Sequence, residues 1–380
     1  MRKGRHTHRW RRMVTGLTIG SLAIGALAGC ADFGPQDRDR AAGPFTSNDV
    51  TYAPQSESPP PPELTPGPEP TGPCADPDPA VIITCLPSTA GVMPGDQQGE
   101  SAVVAVRTTG QIVTAKRGTQ PRVLATVPVD ASGDGGLIDF APSPTYDQDR
   151  LIYALISTAS DNRVVRIAPG DVPKPILTGI PRGATGNMGS MFFRGTNELI
   201  VATGNAGRPA LADDPSSLAG KVLSITSLSS GPNPRPKVLA SGFGSNVSLC
   251  PSADTGALYV ADQAASADRV QVVEDAGPKV LWTWPDKPQI GGCAAAAGSI
   301  FVSTTRTKRI EAINEPTRER PSINKPVVVL ERRYGALGRM TALPNGLLQF
   351  ATVNKGHGKP VKTDDRVVRF LPQGATEDRM

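Results

Sequence analysis

Histidine, the usual proton acceptor at neutral pH, is scarce in this chain. Only His6, His8 and His357 occur, and the first two belong to an N-terminal segment that we expect to be cleaved. Chemistry that needs an imidazole must therefore use His357. This residue lies in the polar, Gly- and Lys-containing stretch 353–360. We expect His357 to be solvated, with a role as a general base as the alternative, and we expect no His-rich metal site.

Other residue patterns that carry chemistry are few. The chain has no G-x-S-x-G nucleophile elbow, no P-loop and no Rossmann glycine fingerprint beside a strand–helix unit, which argues against hydrolase, kinase and nicotinamide-dependent functions. Asp213 and Asp214 could ligate calcium, but a turn capped by an Asp side chain is the favoured interpretation. Trp282 and Trp284 could stack on a sugar, although a place in the core is favoured for two aromatics on one strand.

The N-terminus has the features of an exported lipoprotein. Six cations and no acid occur within residues 1–29, where an apolar run from Met13 to Ala28 leads to small residues before Cys30. This order predicts a signal peptide over 1–29, cleavage before Cys30 and attachment of lipid to its thiol. The chain would then be held on the extracytoplasmic face of the cell membrane. An uncleaved anchor with an incidental cysteine is the alternative.

The net charge arises in the segment before that cleavage site, and many of the prolines lie in the segment after it. The formal charge of +5 comes from the signal, because the remaining 351 residues carry −1. A near-neutral mature chain lacks the basic surface that nucleic acid needs, and this partner class is excluded. Residues 30–72 are rich in proline, with four in a row at 59–62, and this composition predicts a disordered tether.

Four cysteines follow Cys30. Cys74 and Cys85 bracket the short apolar segment 80–84. Because an exported chain meets an oxidising compartment, the sequence predicts a local disulfide between them, with two unpaired thiols as the alternative. Cys250 and Cys293 are the candidates for a second pair.

Short apolar runs recur from about residue 98 onward. Their first residues, 39 to 59 positions apart, are Ile112, Leu151, Leu199, Leu258, Ile300 and Leu348. A basic residue and an apolar neighbour follow five of the six runs, and another apolar segment precedes most of them. Six such units predict an all-β fold, a six-bladed β-propeller over residues 97–375, with a pair of β-sandwiches as the alternative. Segment 80–84, within a disulfide-clamped stretch 73–96, would supply the outermost strand of the last blade and close the ring.

One stretch within the repeat is specific. It reads G-N-M-G-S-M-F-F from Gly186 to Phe193, then E-L-I-V-A-T-G-N-A-G-R-P-A-L-A-D-D-P-S-S-L-A-G-K-V-L from Glu198 to Leu223. This stretch resembles the glucose/sorbosone dehydrogenase family, six-bladed propellers that oxidise aldoses with pyrroloquinoline quinone (PQQ) and calcium. Segments 133–137, 242–263 and 338–346 are similar to further motifs of the family. With its N-terminal features, the whole chain looks most like a mycobacterial lipoprotein that carries such a propeller.

The resemblance also implies that chemistry is missing. In the family a His accepts the hydroxyl proton of the sugar and an Asp orients that His, and these two motif positions fall on Gly186 and Asn205. Two arginines of the family site fall on Gly244 and Thr341. Because PQQ carries three carboxylates, a pocket without these guanidinium groups lacks the donors best suited to hold it.

These departures favour a binding protein over an enzyme. Residues expected around the remnant pocket are Asp134, Asn205, Gln263, Arg306 and Arg339. The favoured hypothesis is a membrane-anchored propeller that has lost catalysis and binds a carbohydrate, a cell-wall component or an envelope protein. The alternative is a PQQ- and calcium-dependent aldose dehydrogenase with a rearranged site, in which His357 or Asp134 serves as the base.

Overall fold

Short strands joined by tight turns make up almost all of the computed structural model, which describes residues 71–231 and 234–372. The predicted signal peptide, Cys30 and the predicted tether up to residue 70 lie outside these residues. Within them, no helix is long and apolar enough to cross a membrane. The described residues form six four-stranded antiparallel sheets, which are the six blades of a β-propeller. The predicted fold class is confirmed.

Each blade runs from an innermost strand beside the axis to an outermost strand at the rim. Blade 1 holds β2 (Val92–Pro94), β3 (Ser101–Val106), β4 (Gln111–Lys116) and β5 (Arg122–Thr126), and blade 2 holds β6 (Leu137–Pro142), β7 (Ile152–Ser157), β8 (Asn162–Ile167) and β9 (Lys174–Ile180). Blade 3 holds β10 (Ser190–Arg194), β11 (Glu198–Ala202), β12 (Lys221–Ile225) and β13 (Lys237–Ser241), and blade 4 holds β14 (Val247–Pro251), β15 (Leu258–Gln263), β16 (Asp268–Glu274) and β17 (Gly277–Trp284).

Blade 5 holds β18 (Ile290–Ala296), β19 (Ser299–Thr304), β20 (Arg309–Asn314) and β21 (Val327–Glu331). Blade 6 holds β22 (Leu337–Ala342), β23 (Leu348–Thr352) and β24 (Val367–Phe370), with β1 (Val81–Ile83) as its outermost strand. Within the part of the chain that the structure describes, three one-turn helices, α1 (Tyr146–Asp149), α2 (Ala210–Asp213) and α3 (Asn354–His357), lie in the connections.

The ring closes with the N-terminal strand, as the sequence predicts. Val81 and Ile83 of β1 pair with Val368 and Val367 of β24. A disulfide joins Cys74 to Cys85, whose Cα atoms are 5.7 Å apart, so the segment that delivers β1 is tied at both of its ends. Without β1, the outer edge of β24 would have no partner strand, and the backbone N–H and C=O groups along that edge would stay unpaired.

Five of the six predicted apolar runs are second strands, and one is not. The second strands β7 and β23 are buried along their whole length, because neighbouring blades cover both of their faces. The sequence of a strand buried on both faces is a continuous apolar run. The run at Ile112 instead lies in β4, a third strand, while the second strand of blade 1 is β3. Both β3 and β4 are largely apolar, so the run alone does not reveal its place in the blade.

The hydrophobic core lies between adjacent blades. One cluster joins Leu155 of blade 2 to Leu199 and Leu223 of blade 3. Trp282 and Trp284 belong to the equivalent cluster between blades 4 and 5, where Trp284 is 7% exposed and its indole donates to Glu311 at 2.9 Å. The prediction that the two tryptophans belong to the core is confirmed. Because Trp284 is buried, the pair does not form a platform on which a sugar could stack.

The second predicted disulfide is also present. Cys250 on β14 and Cys293 on β18 are paired, with Cα atoms 5.7 Å apart, and both side chains are buried. This bond joins the innermost strands of blades 4 and 5. It therefore fixes two neighbouring blades close to the axis, where the functional cavities lie.

Candidate functional site

Six residues on or beside the innermost strands form a ring around the axis, which we call the waist ring: Gly91, Asp139, Ser190, Ser248, Gly292 and Arg339. Gly91 adjoins the Asp139 carboxylate, and Gly292 adjoins the Arg339 Cα. The equivalence of Asp139, Ser190, Ser248 and Gly292 follows from hydrogen bonds that repeat from blade to blade. Side-chain oxygens of Asp139, Ser190 and Ser248 accept the backbone N–H groups of Met191, Leu249 and Cys293 at 2.8, 2.7 and 3.1 Å. Each of these donors directly follows the next member of the ring.

Arg339 is the member of the waist ring that crosses the channel. It extends from blade 6, and its guanidinium donates to the carbonyl of Gly189 at 2.7 Å and to that of Gly291 at 3.3 Å, on blades 3 and 5. The side chain is 4% exposed, and burial lowers its pKa to about 10, against the opposing effect of Asp139. Arg339 lines the cavities on both sides of the ring and so divides the channel into two parts.

The upper cavity, of about 520 Å³, receives residues from all six blades. The loops that enter the innermost strands and the loops that leave the second strands meet at this end of the channel, because adjacent strands are antiparallel. Titratable side chains of the lining are Arg107, Asp134, Arg339, Lys355, His357 and Asp365. Its polar members include Thr185, Asn246 and Thr305. The cavity can therefore both donate hydrogen bonds to a ligand and accept them from it.

His357 lies at this cavity. It is exposed, as expected, and ends α3, the helical turn inserted between β23 and β24. Loss of hydration lowers the pKa of the imidazole, and Arg107 lowers it further while Asp134 opposes both effects. His357 is therefore neutral at pH 7. The expectation that it is simply a solvated loop residue was incomplete, since the inserted turn brings it to the lining of the axial cavity.

Asp134 and Arg107 are held by the backbone beside the cavity. The carboxylate of Asp134 accepts from the N–H of Gly186 at 2.7 Å and from that of Asn187 at 3.3 Å. Arg107 donates to the carbonyls of Gly135 at 2.5 Å and Gly133 at 3.4 Å. Both charges are thus fixed in place before any ligand binds.

Lys355 and Asp365, which come from the connection between β23 and β24 of blade 6, are also held in place at the cavity. The ammonium of Lys355 donates to the carbonyl of Leu86 at 2.7 Å. Asp365 is 1% exposed and accepts from the Lys355 N–H at 3.3 Å. Burial raises the pKa of Asp365 to about 6, and Asp364 adds to the effect.

Gly186, at the motif position of the catalytic His, has no room for a side chain. Its φ of +78° is a backbone conformation that favours glycine. A Cβ atom there would lie 2.3 Å from the nitrogen of Gly207 and 2.8 Å from the side-chain oxygen of Asn205. That oxygen accepts the Gly207 N–H at 3.0 Å, so Asn205 is engaged in the local loop. The backbone has closed over the position where an imidazole would start.

Gly244, at the motif position of an arginine, is closed in the same way. A Cβ atom there would lie 1.8 Å from the carbonyl oxygen of Gln263 and 2.7 Å from the nitrogen of Ala264. The Gly244 N–H donates to the buried carboxylate of Asp262 at 2.8 Å. An arginine cannot occupy this position unless the backbone moves.

Of the expected remnant pocket, the structure brings Asp134 and Arg339 together and leaves three residues outside the lining. Asn205 is buried in its loop. Gln263 donates to the carbonyl of Ile290 at 2.7 Å. Arg306 is turned toward the loop that precedes blade 5, where it donates to the carbonyl of Lys287 at 2.7 Å. Thr341, at the other arginine position, lines the cavity below the waist ring.

The Asp213–Asp214 pair lies beside a buried ammonium group. The side chain of Asp214 accepts from the N–H and the hydroxyl of Ser216 at 2.8 and 2.7 Å, which confirms the capped turn. Lys221 is 0% exposed, and its Nζ donates to the carbonyls of Leu211 and Ala219, both at 3.2 Å, and to that of Ala212. The lysine therefore supplies the cation that these carbonyls face. Among the described residues, no group of three or more His, Cys, Asp or Glu side chains could hold a metal ion.

Comparison with known proteins agrees with the propeller fold. Residues 94–277, from blade 1 into blade 4, match the family model described as Glucose / Sorbosone dehydrogenase. This match confirms the predicted resemblance to that family over these residues. A curated relative, the aldose sugar dehydrogenase YliI of Escherichia coli K12, is 30% identical over 133 residues, which span 31% of this chain and 36% of the relative. The chain thus matches about a third of the length of that relative.

Two solved structures are similar over about three quarters of this chain. The PQQ-bound aldose sugar dehydrogenase of Streptomyces coelicolor is 26% identical, with a TM-score of 0.67, and the match covers 76% of this chain and 95% of that one. A protein of Thermus thermophilus described as a glucose dehydrogenase is 25% identical, with a TM-score of 0.66, and the match covers 76% and 98% of the two chains.

The residues at the upper cavity do not fit PQQ. Three carboxylates need several free cationic donors, yet Gly244 admits no side chain and Thr341 lies below the waist ring. The Arg339 guanidinium is held by two carbonyls. Arg107 and Lys355 remain, and each already donates to the backbone. The donor set therefore matches a ligand with fewer negative charges.

Sequence reasoning missed Arg107, Lys355 and Asp365 as cavity residues. None of them falls on a motif that the family resemblance covers. A usable signal was nevertheless present, because Arg107 directly follows β3 and Lys355 follows β23 within three residues. Loops that leave second strands reach the upper cavity, so charged residues at those points are candidates in any propeller of this design.

Proposed function

We propose that the chain is a membrane-anchored, extracytoplasmic binding protein that has kept the dehydrogenase scaffold and lost its chemistry. The observation that carries this proposal is the closure of two positions by the backbone. Side chains at Gly186 and Gly244 would overlap neighbouring main-chain atoms, while the upper cavity keeps about 520 Å³. A proton acceptor at the motif position is thus excluded, but a ligand is not.

The cavity favours a carbohydrate that carries a carboxylate. Asp134 and Asp365 can accept hydrogen bonds from hydroxyl groups, and Arg107 and Lys355 can donate to a carboxylate. Fixed charges of both signs suit a ligand with many hydroxyls and a single negative charge. Sugar acids of cell-wall polymers have this chemistry.

The membrane anchor is supported by the signal pattern before Cys30. A lipid on that cysteine would hold the propeller beside the envelope, at the end of the Pro-rich residues 30–72. Replacing Cys30 with Ala should move the protein from the membrane fraction to the soluble fraction. Retention of the variant in the membrane fraction would argue against lipidation at this position.

Calorimetric titration of the purified protein with glucuronate and with glucose tests the ligand class. We expect glucuronate to bind at least tenfold more tightly, because one charge-assisted hydrogen bond contributes about 1.5–3 kcal/mol. Lys355→Met should remove most of that preference. Lys359→Met is the matched control, since Lys359 is an exposed lysine of the same loop outside the cavity lining. Equal affinity for the two sugars, or equal effects of the two variants, would contradict the proposal.

One observation favours a second candidate function, the oxidation of aldoses. His357 lines the upper cavity, and its lowered pKa keeps it in the neutral form that a general base needs. Its signature would be reduction of an electron-acceptor dye by glucose in the presence of PQQ and calcium. Turnover that is lost in His357→Ala would establish this function and overturn the first. Absence of turnover in the wild type leaves binding as the function.

A further inference from the structure

A second cavity, of about 270 Å³, lies below the waist ring and has no part in the proposed function. We call it the lower cavity. Its walls come from the innermost strands of five blades and are mostly apolar, with Met93, Phe140, Met191, Phe193, Leu249 and Met340 among them. Waist-ring residues Asp139, Ser190, Ser248 and Arg339 line it as well. It is thus an apolar chamber with a polar side formed by the ring.

Three hydrogen-bond donors of the ring have no acceptor among the described residues. Nε of Arg339 is buried and has no hydrogen-bond partner within residues 71–231 and 234–372. The hydroxyl oxygens of Ser190 and Ser248 accept backbone N–H groups. No described residue accepts the hydrogen of either hydroxyl. A buried guanidinium N–H without a partner is costly, and an acceptor in the chamber would remove that cost.

Asp139 does not accept a hydrogen bond from Nε of Arg339. Its two carboxylate oxygens accept the N–H groups of Phe140 at 2.9 Å and Met191 at 2.8 Å. No oxygen of the Asp139 carboxylate lies within 4.0 Å of a guanidinium nitrogen of Arg339, so these two described residues form no ion pair. The guanidinium therefore keeps an unmatched donor while the carboxylate is held by the backbone.

We propose that the lower cavity binds a small apolar monocarboxylate whose carboxylate accepts from Arg339 Nε and from the hydroxyls of Ser190 and Ser248. The apolar tail of the ligand would lie against the methionine and phenylalanine side chains of the wall. Flexible Met side chains suit a tail of variable shape. Pro251, exposed at the lining, and the half-buried Thr341 mark the side by which a ligand enters.

Octanoate is the probe, and 1-octanol is its uncharged counterpart. We expect calorimetry to show one saturable octanoate site per chain and at least tenfold weaker binding of octanol. Thr341→Trp, which fills the chamber and leaves Arg339 unchanged, should weaken octanoate binding at least tenfold. Val327→Trp is the matched control, because Val327 is 61% exposed on the outermost strand of blade 5. Arg339→Gln should also weaken binding tenfold or more, provided that its melting temperature shows a folded protein.

Three results would overturn the proposal: no saturable octanoate binding, octanol bound as tightly as octanoate, or Thr341→Trp binding octanoate like the wild type. The inference stands apart from the function of the upper cavity. Thr341→Trp should bind glucuronate like the wild type, so failure at one cavity is distinguishable from failure at the other.

Discussion

At the scale of single residues, two glycines carry the proposal that dehydrogenase chemistry is lost. At Gly186 and Gly244, more is lost than the side chains, because neighbouring backbone atoms occupy the space that a Cβ would need. Restoring a His or an Arg by one substitution would therefore clash or shift the loops. The sequence revealed that the motif residues were absent. It did not reveal that their space was gone, since that depends on the approach of loops distant along the chain.

Asp139 gives the chain a pH dependence that can be isolated by one substitution. Burial raises the pKa of its carboxyl to about 6, with Arg339 and two N–H groups opposing, whereas the unfolded chain has the ordinary value of 3.8. Between these values the folded state binds more protons than the unfolded state. The contribution of Asp139 to stability is therefore present below pH 4 and is lost as the pH rises through 6.

We expect Asp139→Asn to remove this dependence. The wild type should lose up to about 3 kcal/mol of unfolding free energy from this group between pH 4 and pH 7.5, and the variant should lose less. Denaturant titrations of both proteins at several pH values measure the difference. Parallel pH profiles for the two proteins would contradict the assignment of a raised pKa to Asp139.

At the scale of secondary-structure elements, the closing strand depends on its clamp. β1 contributes only three residues to blade 6, and its segment is further tied by Arg366, which contacts the carboxylate of Asp76 at 3.2 Å. The sequence sufficed to predict this strand and its disulfide, because two cysteines flank an isolated apolar run. It did not suffice to assign β3 and β4 of blade 1, whose apolar runs are alike.

Replacing both Cys74 and Cys85 with Ser should loosen the closure locally. We expect a loss of about 2–4 kcal/mol in unfolding free energy. Faster hydrogen exchange should appear in β1 and β24, because β1 is the part of blade 6 that the clamp holds. Blade 3, which has no disulfide, is the internal control and should exchange at the wild-type rate. Uniform acceleration in all blades, or none in β1 and β24, would show that the clamp does not act on ring closure.

At the scale of the whole molecule, the ring brings together residues that no local pattern relates. Arg107, Asp134 and His357 come from blades 1, 2 and 6 and meet at one cavity. The six-fold repeat predicted the ring and therefore a channel. It could not predict which loop residues face the channel, because their direction is set by turns such as α3 that interrupt the repeat. The waist ring likewise appears only when the innermost strands are in register.

Diffraction from crystals soaked with PQQ, calcium and glucose tests the central claim, that the upper cavity no longer accepts the cofactor of the dehydrogenase scaffold. Parallel crystals soaked with glucuronate provide the positive control. We predict electron density for glucuronate between Lys355 and Asp134, and no density for PQQ. A quinone bound over the waist ring, with its carboxylates on Arg107 and Lys355 and a sugar beside His357, would contradict the account.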